Sequence, residues 1–411
     1  MARRRAAARG NKPRSRQVGG ALARATTMPL GAAAGARREA ARAGEAVEPE
    51  ALVATCWFDT GPSGDPYSAT VRFTGRRIGV LGTPKAADSF TKDEIVDGIV
   101  PGTGPVSITT WVYGLQPGEW DVDADVVHVS GDAGARPAFR SRPGGSRSAH
   151  PASWSWRRWA IATREVAPIR TRWALLAPLA MQPAVLPGIY TALAIVGFVA
   201  ALGLQAVVLA GRDVAVGQPL AASVIALVVG LIGAKAWYAV LHPDESLIRG
   251  GWAVDGFLVV APLVAAALLY AWDLPVGVVL DATAPGIFFA VALGRVGCFV
   301  TGCCAGQCTA SRWGIWSSDR RVGARRIPTQ LLESGAGLVI GGVSLALVVT
   351  AALPLDGAVF VVAFAAYAVV RQALLRLRAE GRRSYRTLPI TAVAAGVVVA
   401  MVATLSVLQS A

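Results

Sequence analysis

The stretch Ile189–Ala210 reads IYTALAIVGFVAALGLQAVVLA, 22 residues with no Asp, Glu, Lys, Arg or His. A hydrocarbon layer of about 30 Å is crossed by about 20 helical residues, so this segment alone predicts a transmembrane helix. Similar apolar runs recur near 220–241, 252–272, 276–299, 334–353, 357–375 and 388–409. The sequence therefore predicts an all-α polytopic membrane domain of seven transmembrane helices over residues 173–411. Residues 173–186 are also apolar but short, ending at Pro187-Gly188, which reads as an interfacial helix. Charged residues make up only 16% of the 411-residue chain, against about 25% in soluble globular domains. A wholly soluble enzyme is excluded on that ground.

The sequence before the apolar region divides into three parts. Residues 1–45 are rich in Ala, Arg and Gly and lack the apolar core of a secretory signal, so they are expected to form a disordered basic tail. Residues 46–130 contain runs of alternating apolar and polar residues, Leu52 to Phe58, Tyr67 to Phe73, Val106 to Tyr113 and Trp120 to Val127, separated by Gly, Pro and Asp clusters. That pattern predicts a small all-β domain; the turn Gly114 to Trp120 gives it an immunoglobulin- or fibronectin-like look. Residues 131–172 read as a Gly/Pro/Ser/Arg linker whose Trp154-Ser155-Trp156-Arg157-Arg158-Trp159 cluster suits a membrane interface. The net charge of +14 comes largely from Arg residues flanking apolar runs, which points to membrane topology rather than to nucleic acid.

From Leu175 to the C-terminus, an ordered series of motifs resembles the prolipoprotein diacylglyceryl transferase family. Pro187-Gly188-Ile189-Tyr190 opens the first span. Gly233-Ala234-Lys235-Ala236-Trp237-Tyr238 is similar to a Gly-x-Arg-x-x-Tyr element, with Lys for Arg. Gly250-Gly251-Trp252-Ala253-Val254-Asp255-Gly256 is similar to Gly-Gly-x-x-x-His-Gly, with Asp for His. Asp281-Ala282-Thr283-Ala284-Pro285 follows, and Gly294-Arg295-Val296-Gly297-Cys298-Phe299 resembles Gly-Arg-x-Gly-Asn-Phe, with Cys for Asn. Arg326-Ile327-Pro328-Thr329-Gln330-Leu331-Leu332-Glu333 and a Tyr367/Arg371/Arg378 set complete the series.

The resemblance implies a transferase that moves diacylglyceryl from phosphatidylglycerol to a Cys thiol, with glycerol phosphate leaving. The partners it implies are phosphatidylglycerol and the signal peptide of a prolipoprotein, in the bacterial cell (inner) membrane and with no cofactor. Arg295 and Arg326 are then the phosphate-holding candidates, because a guanidinium stays charged and donates as a fork. Gly306 keeps a glycine that the family needs. Tyr190 is placed to bond the lipid head group or to anchor the interface. Asp255 stands as a base or as an ionic partner of Arg295 or Lys235. Glu333 is placed to order Arg326 or to cap the fifth span. The competing role for Arg295 is an ion pair with Asp281 or Asp255. The family's His, Asn and a later acidic position become Asp255, Cys298 and Cys303, so the phosphate-holding parts survive better than the proton-handling parts. That leaves two further readings: a non-catalytic lipid-binding membrane paralogue, and a cytoplasm-facing thiol or redox protein.

Cys298, Cys303, Cys304 and Cys308 crowd into eleven residues. Their spacing fits no paired C-x-x-C zinc pattern, and vicinal Cys303 and Cys304 are not expected to face one ion, so no metal is assigned from sequence. Small polarizable packing, thiol or redox chemistry and, behind these, a metal site are the readings left open. The loop 301–327 carries Arg312, Arg320, Arg321, Arg325 and Arg326, and the loop after the sixth span carries Arg376, Arg378, Arg382, Arg383 and Arg386. The positive-inside rule puts these loops and the N-terminus in the cytoplasm, whereas the family resemblance puts them outside.

Overall fold

The computed structural model describes residues 51–130, 147–148, 150–155, 160–163, 169–170, 188–243, 253–319, 321–350, 355–379 and 387–410. The basic tail, residues 156–159, the whole expected interfacial helix 173–186 with Pro187, and Gly250 to Trp252 lie outside the described residues, as do the side chains of Trp154 and Ser155.

The first part is all β. Strands β1 (Ala51–Asp59), β2 (Tyr67–Arg77), β3 (Ser89–Ile99), β4 (Pro105–Tyr113) and β5 (Glu119–Ser130) pair antiparallel. In β2, Tyr67, Ala69, Val71 and Phe73 are buried while Arg72 and Thr74 are exposed, the period of two that a strand with one wet face requires. Leu52, Phe58, Phe73, Ile108 and Trp120 fill one core shared by the two sheets. β4 is buried along nearly its whole length. On it Thr109 bonds Thr55 at 2.8 Å and Thr110 donates to Glu94 at 2.9 Å, satisfying hydroxyls that burial would otherwise strand.

Two expectations change here. The stretch 131–172, read as a linker, supplies β6 (Arg147–Ser148), β7 (His150–Ser155), β8 (Ala160–Thr163) and β9 (Ile169–Arg170), which pair with β5, β1, β7 and β5. The loop 301–327 contains a hairpin, β10 (Ile315–Ser318) and β11 (Val322–Arg326), and β11 pairs with β4 through Val322 opposite Ile108 and Gly323 opposite Ser107. Val322 and Ala324 enter the β core. Trp316 lies 5.7 Å from Trp57 between ring centroids, and Arg321 bonds Glu94 at 3.1 Å. These strands are too short, at two to six residues, for periodicity to reveal them. The resulting six-stranded sheet runs β10-β11-β4-β1-β7-β8, so a membrane-domain loop is a structural part of the β region.

The second part holds α1 (Ile189–Ala210), α2 (Gly217–Leu241), α3 (Val254–Ala271), α4 (Val276–Thr301), α5 (Thr329–Thr350), α6 (Ala358–Leu375) and α7 (Thr387–Ser410). Six are long and apolar enough to cross a membrane. In α3 the apolar stretch Val259–Ala271 is shorter than the others, so the expected seventh span is a helix at the expected place with a shorter apolar part. Large apolar side chains such as Ile195, Val199 and Val207 point outward, as lipid-facing positions do, while contacts between helices fall on small residues. A Cβ on Gly286 would stand 2.8 Å from the Ala201 carbonyl oxygen, and one on Gly337 2.9 Å from that of Phe288. Small residues let membrane helices approach where lipid gives no hydrophobic drive to pack. Gly233 and Gly256 do the same between α2 and α3, which joins the two motifs that carry them.

Asp281 occupies no ion pair with Arg295. The two lie 14 positions apart on α4, a rise of about 21 Å. The Asp281 carboxylate instead accepts from the N–H groups of Gly357 (2.8 Å) and Phe360 (2.9 Å), capping α6. Helix N-termini leave donors unpaired and favour negative charge. Asp281→Ala is therefore expected to cost about 1–2 kcal/mol, read as a lower melting temperature in detergent, with Asp281→Asn recovering part of the loss.

Candidate functional site

Glu333, the fifth residue of α5, is fully buried. Four donors converge on it. Arg295 of α4 reaches Oε1 at 2.9 Å, Arg371 of α6 reaches the same oxygen at 3.1 Å, and Arg378, just beyond α6, reaches Oε2 at 2.6 Å. The Tyr367 hydroxyl donates to Oε1 at 2.8 Å. Tyr367 is held by Phe288, 5.5 Å away between ring centroids, which in turn packs on Phe364. Among the described residues, three guanidinium cations meet this one carboxylate, two positive charges more than it balances. A buried cation without a counter-ion is costly. The cluster is thus built to receive an anion, and the fork geometry of Arg suits phosphate.

The thiols stand beside it. Cys298 lies in the last turn of α4, and Arg295 Nη1 is 3.9 Å from its sulfur. Gly302, in the left-handed conformation (φ 73°), ends the helix, and Cys304 is also left-handed (φ 55°). With these two reversals the chain doubles back, and the Cys303 N–H donates to the Cys298 carbonyl at 3.0 Å. The sulfurs of Cys298, Cys303 and Cys304 then lie within 4.8 Å of one another. The expectation that vicinal Cys303 and Cys304 would diverge is overturned by this turn geometry. Hydrogen bonds from Cys298 and Cys303, with Arg378 and Arg295 nearby, pull the Cys304 thiol well below its usual range. Cys308 is separate: it packs against the β core, where burial raises its pKa.

Tyr190, at the start of α1, stands within electrostatic reach of Arg295, Cys298, Cys303 and Cys304. Its ring lies against Gly297, where a Cβ would come within 3.2 Å of it, and nearly half its surface is open. Asp255 sits in the first turn of α3; its side chain lies outside the described residues. Arg326 does not join the arginines on Glu333. Buried, it donates to Asp319 at 2.6 Å, to the Gly306 carbonyl at 3.1 Å and to the Val322 carbonyl at 3.3 Å, bracing the hairpin against the cysteine-bearing segment. Gly306 packs so tightly on the Ile327 carbonyl that any Cβ would collide with it.

Tyr367, Arg371 and Arg378 were visible in the sequence as a motif, but their share in the Glu333 cluster was not. Part of the signal lies in spacing. Positions i and i+4 share one side of a helix, which pairs Tyr367 with Arg371 on α6, whereas Arg378 lies beyond the end of that helix and its approach follows no helical spacing.

A family model for prolipoprotein diacylglyceryl transferase matches residues 184–409. The chain belongs to the prolipoprotein diacylglyceryl transferase family. This family member is 30% identical over 175 residues to the phosphatidylglycerol–prolipoprotein diacylglyceryl transferase of Dehalococcoides mccartyi, a match covering 40% of this chain and 66% of that protein. It is 29% identical over 135 residues to the phosphatidylglycerol–prolipoprotein diacylglyceryl transferase 2 of Clostridium perfringens, covering 29% and 52%. The chain thus spans just under two thirds of the first relative and about half of the second. Its helices and its family make it a multi-pass membrane protein. The β strands before residue 184 lie outside the family match.

Proposed function

We propose that this protein is a membrane transferase that takes phosphatidylglycerol and transfers its diacylglyceryl group to a Cys thiol, with a prolipoprotein signal peptide as acceptor, in the bacterial inner membrane. The observation that carries this reading is the excess of cations around Glu333. Arg295, Arg371 and Arg378 hold the lipid phosphate, and Glu333 with Tyr367 keeps the three guanidinium groups apart and aimed. The acceptor sulfur forms a bond to the terminal glyceryl carbon while that carbon's bond to the phosphate oxygen breaks. Glycerol phosphate then leaves with its charge on the arginines, which stabilise the transition state more than the ground state as that charge grows. Tyr190, half-open at the same face, bonds the head group. Arg326 and Gly306 shape the segment that carries Cys303 and Cys304. The β region reads as a small immunoglobulin- or fibronectin-like module that steadies the loop beside this site.

Purified protein in phosphatidylglycerol vesicles, given a lipobox peptide, is expected to release labelled glycerol phosphate. Arg295→Gln and Arg371→Gln are each expected to lower that rate by about 10²–10³-fold, the range seen on removing one charge-stabilising donor. An unchanged rate in both variants would sink this assignment. Bound lipid without release would leave a non-catalytic lipid-binding member of the family.

A further inference from the structure

Cys298, Cys303 and Cys304 are not explained by holding a phosphate. Their sulfurs come from two sides of a helix end and are brought together by two left-handed residues, Gly302 and Cys304. The backbone between them is pinned: Gln330 Nε2 donates to the Cys303 carbonyl at 2.9 Å, and Thr329 Oγ1 donates to the Cys304 carbonyl at 3.2 Å. Thr329 and Gln330 stand four and three positions before Glu333 on α5, so the thiols and the arginines share one helix as support. Outer contacts of this kind fix a ligand set before its ion arrives.

We propose that these three cysteines form a trithiolate site for a thiophilic divalent cation of the zinc class. Sulfur ligands at about 2.3 Å from a tetrahedral zinc lie about 3.8 Å apart. Sulfurs already within 4.8 Å of one another need to close by about an ångström at most. Three thiolates and a divalent cation carry one net negative charge, and the two cations in excess beside Glu333 offset it. Soft thiolates select zinc-class metals over magnesium or calcium. Three protein ligands leave a fourth position, the arrangement of zinc sites that act on a bound ligand rather than merely brace a fold.

That fourth position gives the site its use, and this step rests on the transferase reading. The acceptor cysteine binds there through sulfur and releases its proton to water, because coordination deprotonates a thiol. The bound thiolate attacks the glyceryl carbon, an S–C bond forms, the C–O bond to phosphate breaks, and glycerol phosphate carries away the electron pair. No protein base is then needed where the family's His has become Asp255.

The test reads metal binding first and catalysis second. Full-length protein, reduced and stripped with chelator in detergent, is titrated with Co2+. The expected result is one equivalent per chain with sulfur-to-cobalt charge-transfer absorption, displaced by Zn2+. Cys303→Ser and Cys304→Ser should abolish that absorption, and Cys308→Ser should keep it. Should either variant fail to fold, Zn2+ protection of Cys298, Cys303 and Cys304 from alkylation in the native protein, mapped by mass spectrometry, makes the same test. A lipobox peptide should shift the cobalt spectrum, whereas its Cys→Ser form should not. No cobalt absorption with three freely alkylated thiols, a disulfide among them, or binding of Cu+ alone would overturn the proposal. Cobalt binding without any lipid transfer would uphold the site and count against the transferase reading instead.

Discussion

Glu333→Gln is expected to be among the most damaging single substitutions in this chain. The change keeps the shape of the side chain and removes its charge, leaving Arg295, Arg371 and Arg378 gathered around a neutral amide. Glu333 is fully buried, and two of the three arginine side chains, those of Arg295 and Arg378, are less than 15% exposed. Removing one partner from a buried ion pair costs about 3–5 kcal/mol, because the remaining charge is stranded. Here three cations lose their common anion. The measurement is thermal unfolding in detergent, followed by the same measurement with anionic lipid or inorganic phosphate added. An anion should restore part of the lost stability in Glu333→Gln and add less to the parent protein. A second substitution, Arg378→Gln, should cost less in the Glu333→Gln background than in the parent, since both changes remove one interaction. Additive losses, with no response to anions, would show that the cluster is held by packing rather than by charge.

The helices were legible because length and apolarity are local properties. Where a helix end was misplaced, the cause is specific. The fifth span was expected from residue 334, yet α5 begins at Thr329. Its first five residues include Thr329, Gln330 and Glu333, all buried within the protein, so hydropathy reads them as loop. The site residues whose chemistry stands out in an apolar span, Arg295 and Glu333, were likewise visible. Their partners were not. Sequence offered Asp281 or Asp255 to Arg295, and Arg326 to Glu333, whereas the packing gives Arg295 to Glu333 and Arg326 to Asp319. Which charges meet depends on how α4, α5 and α6 stand against one another, and no local pattern encodes that. The same holds for the three thiols, whose approach depends on two left-handed residues, one of them not glycine.

Epitopes inserted at Gly82 in the β region and at Trp313 in the loop after α4 are expected to be reached from the same side of the membrane in every preparation. Gly82 lies next to the fully exposed Leu81, and Trp313 is 76% exposed, so both tags should be tolerated. The reason for a shared side is covalent and geometric: β11 follows α4 in the chain and pairs with β4 of the β region. Tyr190 and Gly297 also touch, which puts the start of α1 and the end of α4 at one face. Three of the ten loop arginines behind the positive-inside reading are committed to protein partners. Of the arginines counted there, Arg326 is buried in the loop, Arg321 binds Glu94 and Arg378 binds Glu333. Cations committed to protein partners say little about orientation, because the positive-inside bias concerns charges left free near span ends. Antibody binding is read in intact spheroplasts and again after lysis. Tags on opposite sides would break the β4–β11 pairing as described. Both tags outside would put the arginine and thiol cluster where exported prolipoproteins arrive, and both inside would remove that acceptor and turn the site toward cytoplasmic thiols.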